Sequence, residues 1–145
     1  MVRLSEMAED IAAAVARCGY SVFTEAPERT GDGVCVYIRV RPEKETFPTA
    51  GICQRNIRAE LICMSRSGLS NGQFYTFIDD CLSAFRPYAS FCGRCIIPED
   101  AQCSLNEGVG RYSFSLRFAD DIEPISGTPE EERDPMRYID LKEEF

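Results

Sequence analysis

The feature that most constrains this chain is a strict two-residue alternation over Arg111 to Phe118. Tyr112, Phe114, Leu116 and Phe118 recur on one side, and Arg111, Ser113, Ser115 and Arg117 on the other. A strand sends successive side chains to opposite faces, so this segment predicts a strand with one buried and one open face. Arg55 to Met64 repeats the pattern, with Ile57, Ala59, Leu61 and Cys63 against Arg58 and Glu60. Two strands of this kind fit an antiparallel sheet with one face packed on helices and one face open.

Two segments supply the helical period. Leu4, Met7, Ala8, Ile11, Ala12, Val15 and Cys18 fall at steps of three and four, and Gly19 follows as a terminator. Phe74, Phe77, Ile78, Cys81, Leu82 and Phe85 form the stripe of a second helix, predicted over Gln73–Arg86. Pro87 stops it, and Ser67 to Gly72 holds capping residues. Between the helices, Ser21 to Glu25 reads as a short strand ended by Pro27. Val34 to Val40 reads as a strand ended by Pro42, and residues 42–54 as a long connection. Phe91 to Ile97 and Ala101 to Leu105 are weaker strand segments before Arg111. The resulting expectation is an α+β fold: a mainly antiparallel sheet with two helices packed on one face, in the order α-β-β-β-α-β-β.

Residues 1–122 are expected to form this single domain. Residues 123–145 hold eight acids, three bases and three prolines, and read as an acidic C-terminal tail or arm. The net charge of −8 argues against a nucleic-acid partner, because phosphate binding needs clustered Lys and Arg. No apolar run is long enough for a membrane span, and Glu6, Glu9 and Asp10 interrupt any signal-peptide pattern. Eight cysteines without a secretory signal read as reduced thiols.

Chemistry is harder to find. The chain has no histidine, which removes the commonest general base and the favoured zinc ligand. No glycine-rich phosphate loop occurs. Cys92-Gly93-Arg94-Cys95 is the one local motif, and Cys103 offers a third thiol for a metal. The pair follows a helix instead of opening one, and a second such pair is missing, so ordinary thiols beside a strand are the stronger reading. Asp79-Asp80 and Asp120-Asp121 read as a solvated helix side and a strand end before a cation site. No enzyme activity and no cofactor are expected. The open sheet face, with Arg39, Arg58, Glu60, Arg111 and Arg117, reads either as solvated or as a surface that meets a copy of the same chain.

The element order, the Tyr20-Ser21-Val22-Phe23-Thr24-Glu25 strand with Pro27, the Val34–Val40 strand, Arg55-x-x-Arg58-x-Glu60-Leu61, the Phe74–Phe85 helix and Tyr112-Ser113-Phe114-Ser115-Leu116 together resemble bacteriophage tail terminator (tail completion) proteins. The resemblance covers about residues 1–122. It implies a phage or prophage virion protein without catalysis, a homo-oligomeric ring, typically a hexamer, that caps the tail tube and joins it to the head–tail connector. It would assemble in the host bacterial cytoplasm and end in the virion tail. Arg58, Glu60, Arg111 and Arg117 would then be subunit-interface residues, and the 42–54 connection a contact surface. Two further readings stand beside it: a small acidic binding or inhibitor protein of a mobile element, and a zinc or redox protein using Cys92 and Cys95.

Overall fold

The computed structural model describes residues 2–25 and 33–121. The acidic segment 123–145 and Pro27 lie outside the described residues. The elements are α1 (Leu4–Ala16), β1 (Ser21–Phe23), β2 (Cys35–Thr49), β3 (Ile52–Met64), α2 (Asn71–Phe85), β4 (Ala89–Phe91), β5 (Arg94–Ile96), β6 (Glu99–Asn106) and β7 (Val109–Asp121). Five strands make one sheet in the order β1-β2-β3-β7-β6, and β4 and β5 pair as a separate small hairpin. The β1–β2 pair is parallel and the other ladders are antiparallel. This is the expected α+β class with a mainly antiparallel sheet. Four strands follow α2 where the expected order has two: the weaker segment Phe91 to Ile97 falls across the β4–β5 hairpin, and Ala101 to Leu105 lies within β6.

The core lies between one sheet face and the two helices. Met7, Ile11 and Val15 are buried on α1, and Phe77, Cys81 and Phe85 on α2. Opposite them, the register sets Ile57 beside Leu116, Ala59 beside Phe114 and Leu61 beside Tyr112. All six are buried, and each fully buried large apolar chain contributes roughly 1.5–3 kcal/mol. Phe85 meets Phe114 at 5.0 Å between ring centroids, and Tyr20 and Phe77 meet perpendicularly at 6.0 Å. The Tyr20 hydroxyl donates to Asp80 at 2.6 Å, so this carboxylate ties α2 to the start of β1.

Local chemistry sets the element ends. At α2, the Ser70 hydroxyl accepts from the Gln73 N–H at 3.2 Å and the Gln73 side chain accepts from the Ser70 N–H at 3.0 Å, a reciprocal cap. After α1, Gly19 takes φ +99°, a conformation that suits glycine. At the β6–β7 turn, Glu107 and Gly108 both have positive φ, which matches the right-handed twist of the flanking strands.

Two boundaries differ from the sequence expectation. Pro42 does not end β2, and residues 42–54 are not a loose connection. β2 runs on to Thr49 and turns back through Gly51, at φ +90°, into β3. Pro42 is tolerated because the register shifts there and no described strand lies outside it; β1 pairs only with Cys35–Tyr37. β7 likewise continues past Phe118, so Asp120 belongs to the strand.

Candidate functional site

The sheet face turned away from the helices gathers the four residues singled out from the sequence. Glu60 sits centrally on β3. It accepts from Arg39 Nε at 2.8 Å and Nη2 at 2.6 Å, and from Arg41 Nη2 at 3.1 Å. Burial alone would raise its carboxyl pKa, but the Arg39 hydrogen bonds and the charges of Arg39, Arg41 and Arg111 outweigh this and hold it below the ordinary value. Glu60 is therefore a carboxylate at neutral pH, fitted to bind cations and not to give up a proton. Arg111 is exposed beside it. Arg117 is exposed on the same face and faces Glu99 at 3.4 Å and Asp100 at 4.0 Å.

Arg58 departs from the expectation of an outward, solvated charge. It is only 8% exposed. Its Nη1 donates to the Ser115 hydroxyl at 2.9 Å and its Nη2 to the Ser113 hydroxyl at 2.7 Å. The Ser115 hydroxyl in turn reaches Glu43 at 3.5 Å. These groups line an open hollow of about 400 Å³ with Arg41, Asn56, Asp100 and Gln102. Arg58 thus forms the floor of a concave polar surface. The face carries acids and bases in near balance, so it is suited to a polar surface of matching pattern more than to an ion of one sign.

A second cluster, not signalled by any motif, lies at the strand ends. Arg55, 5% exposed, and Asp120, 2% exposed, lie on the helix-covered side at the far end of the core. Asp120 accepts from the Val2 N–H at 2.8 Å, from Arg55 Nη1 at 3.1 Å and from Arg94 Nη2 at 3.0 Å. Arg55 also donates to the Val2 carbonyl at 2.7 Å and to Glu45 at 3.1 Å, and Arg94 donates to the Ala119 carbonyl at 2.7 Å. Both guanidinium groups stand over the Phe118 ring, at 5.7 and 5.4 Å from its centroid. The cluster joins the chain before α1 to β2, β3, β5 and β7, and so fixes the end of the sheet where the β2–β3 hairpin projects. Extending the alternation of each strand by one or two steps places both residues inward; two opposite charges in phase with a core stripe are the signal that identifies them.

The three thiols singled out from the sequence occupy separate elements. Cys92 occupies the β4–β5 turn, Cys95 lies opposite Ser90 on β5, and Cys103 opposite Tyr112 on β6. The Cys92 N–H donates to Asp10 at 2.8 Å and its thiol approaches Glu6 at 3.7 Å. Partial burial and these two carboxylates raise the Cys92 pKa, which disfavours the thiolate that redox exchange or metal binding requires. Among the described residues no group of three or more Cys, Asp or Glu side chains is placed to hold a metal ion. No described helix is long and apolar enough to cross a membrane.

Fold and site together define an α+β protein with one helix-covered sheet face and one polar concave face. No family model matches the sequence, and no curated protein matches it. Among the solved structures that align, one covers 83% of this chain and 93% of its own, at 12% identity and a TM-score of 0.46.

Proposed function

We propose that this protein is a non-catalytic structural component of a phage or prophage tail, forming a homo-oligomeric ring that caps the tail tube and presents a surface to the head–tail connector. The observation that carries the proposal is the concave polar face around Arg58 and Glu60, left uncovered by the helices and lined by side chains of both signs. Such a surface complements a different polar protein face, such as another part of a neighbouring copy in a ring or the end of the tail tube. The resemblance of the sequence to tail terminator proteins points the same way and supplies the six-fold expectation. Arg111 and Arg117 stand exposed at the two ends of the face, where salt-sensitive contacts to a neighbour form. Assembly in a host bacterial cytoplasm, followed by incorporation into the virion tail, completes the proposal.

The test is a polymerisation assay. Purified tail tube protein from the same phage or prophage is allowed to extend with and without this protein. Tubes that stop growing and carry added density at one end support the role. Tubes whose length and ends are unchanged at saturating protein exclude it.

A further inference from the structure

Among the described residues no strand pairs with either outer edge of the sheet, and the two edges differ. On one side, β1 pairs with only three residues of β2, so β2 from Ile38 to Thr49 meets no other described strand on that side. On the other side, β6 is the last strand. Bare edges present unpaired N–H and C=O groups that template pairing with another chain. The β6–β7 turn identifies which groups these are. Its two central residues have positive φ, and Asn106 closes the hairpin opposite Val109. In such a two-residue hairpin the closing pair exchanges hydrogen bonds and the next pair does not, alternately along the ladder. Ser104 opposite Arg111 therefore bonds inward, while Leu105 and Cys103 aim their backbone groups at the bare edge.

The two edges are complementary. β6 and the turn after it carry Glu99, Asp100 and Glu107 and no base. The bare part of β2 carries Arg39, Arg41 and Lys44 against Glu43 and Glu45, one positive charge in excess. A large exposed apolar residue accompanies each edge: Phe47, 62% exposed, within β2, and Ile97, 69% exposed, two residues before β6. We infer that β6 of one subunit pairs with the bare edge of β2 in a second copy of this chain, continuing the sheet from subunit to subunit. Because the two edges differ, the contact is head-to-tail, the kind of contact that closes a ring when the rotation per subunit divides a full turn. The inference rests on the assembly reading above and specifies which backbone edges carry it.

Cys103→Pro tests it in the full chain. Proline removes an N–H that the β6–β7 ladder does not use, at an exposed edge position where proline is tolerated. Cys103→Ser keeps the N–H and serves as the control. Light scattering should give an assembly for the parent and for Cys103→Ser, and a 16.3 kDa monomer for Cys103→Pro with an unchanged circular dichroism spectrum. If Cys103→Pro assembles as the parent does, the edge pairing is wrong while the ring stands. A parent that forms only a two-subunit species overturns the head-to-tail contact. A parent that stays monomeric at every concentration removes the assembly reading itself. Hydrogen exchange on the unmodified chain decides the matter should the proline variant misfold. The Cys103 and Leu105 amides and some of those from Ile38 to Arg41 should gain protection as concentration rises, and unchanged exchange there overturns the pairing.

Discussion

Replacing Asp120 by Asn removes one charge from the buried cluster while nearly preserving its shape. The Asp120 carboxylate is 2% exposed and accepts three hydrogen bonds, two of them from guanidinium groups. Breaking a buried ion pair by neutralising one partner costs about 3–5 kcal/mol, because the other charge stays buried without compensation. Here Arg55 keeps Glu45 at 3.1 Å and the Val2 carbonyl at 2.7 Å, which places the loss at the lower end, about 3 kcal/mol. For a domain of this size that lowers the melting temperature by roughly 10 °C. The chain has six tyrosines and no tryptophan, so urea unfolding is followed by tyrosine fluorescence and circular dichroism. The double variant Arg55→Met/Asp120→Leu removes both charges and should lose far less than the sum of its single variants. pH supplies a second axis. Burial works to raise the Asp120 carboxyl pKa, but the Val2 N–H, Arg55 and Arg94 prevail and hold it below the ordinary 3.8. The unfolded chain therefore binds this proton more readily. The contribution is complete above 3.8 and is lost as pH falls through the lower folded value, a loss that Asp120→Asn should not show. A loss under about 1 kcal/mol for Asp120→Asn, or strict additivity in the double variant, would refute the reasoning.

Three further outcomes follow from the packing. Gly108→Ala should destabilise by about 1–3 kcal/mol in urea unfolding, since the residue sits at φ +77° and a Cβ would meet the Gly68 Cα at 2.9 Å. Ser70→Ala removes the reciprocal cap of α2 and should cost about 1 kcal/mol, read as a shift in the urea midpoint with an unchanged slope. In thiol titration of the native protein, Cys63 and Cys81 should stay silent until unfolding, since burial pushes the Cys63 thiol up to about 12 and Cys81 higher still. The exposed Cys95 and Cys103 should react first, ahead of the exposed Cys18 and Cys92, whose thiol pKa values partial burial and nearby carboxylates raise.

Periodicity made the centre of the fold legible and left its margins obscure. Ile57, Ala59, Leu61 and Cys63, with Tyr112, Phe114 and Leu116, alternate without interruption, and all are buried as that pattern requires. The helix stripes were equally plain, because the residues that face a core repeat at the helical period. The strand ends were not, because there the inward residues are charged. Arg55 and Asp120 broke the apolar stripe and so appeared to end it, although their mutual pairing is what permits burial. Pro42 misled for a different reason. Proline stops a central strand, but at an edge its missing N–H leaves no ladder bond unmade. The polar character of the outer face was legible in the same alternation. The depth of Arg58 was not, because its cover comes from Ser113, Ser115 and the far reach of β2 and β6, which alternation within one strand does not encode.

Native mass spectrometry of the intact chain tests the central claim most directly. The account predicts one closed assembly of defined stoichiometry, a whole multiple of 16.3 kDa above two subunits. It should dissociate as salt rises and screens the charged contacts between neighbouring subunits. A 16.3 kDa monomer that persists at low salt and high concentration would contradict it.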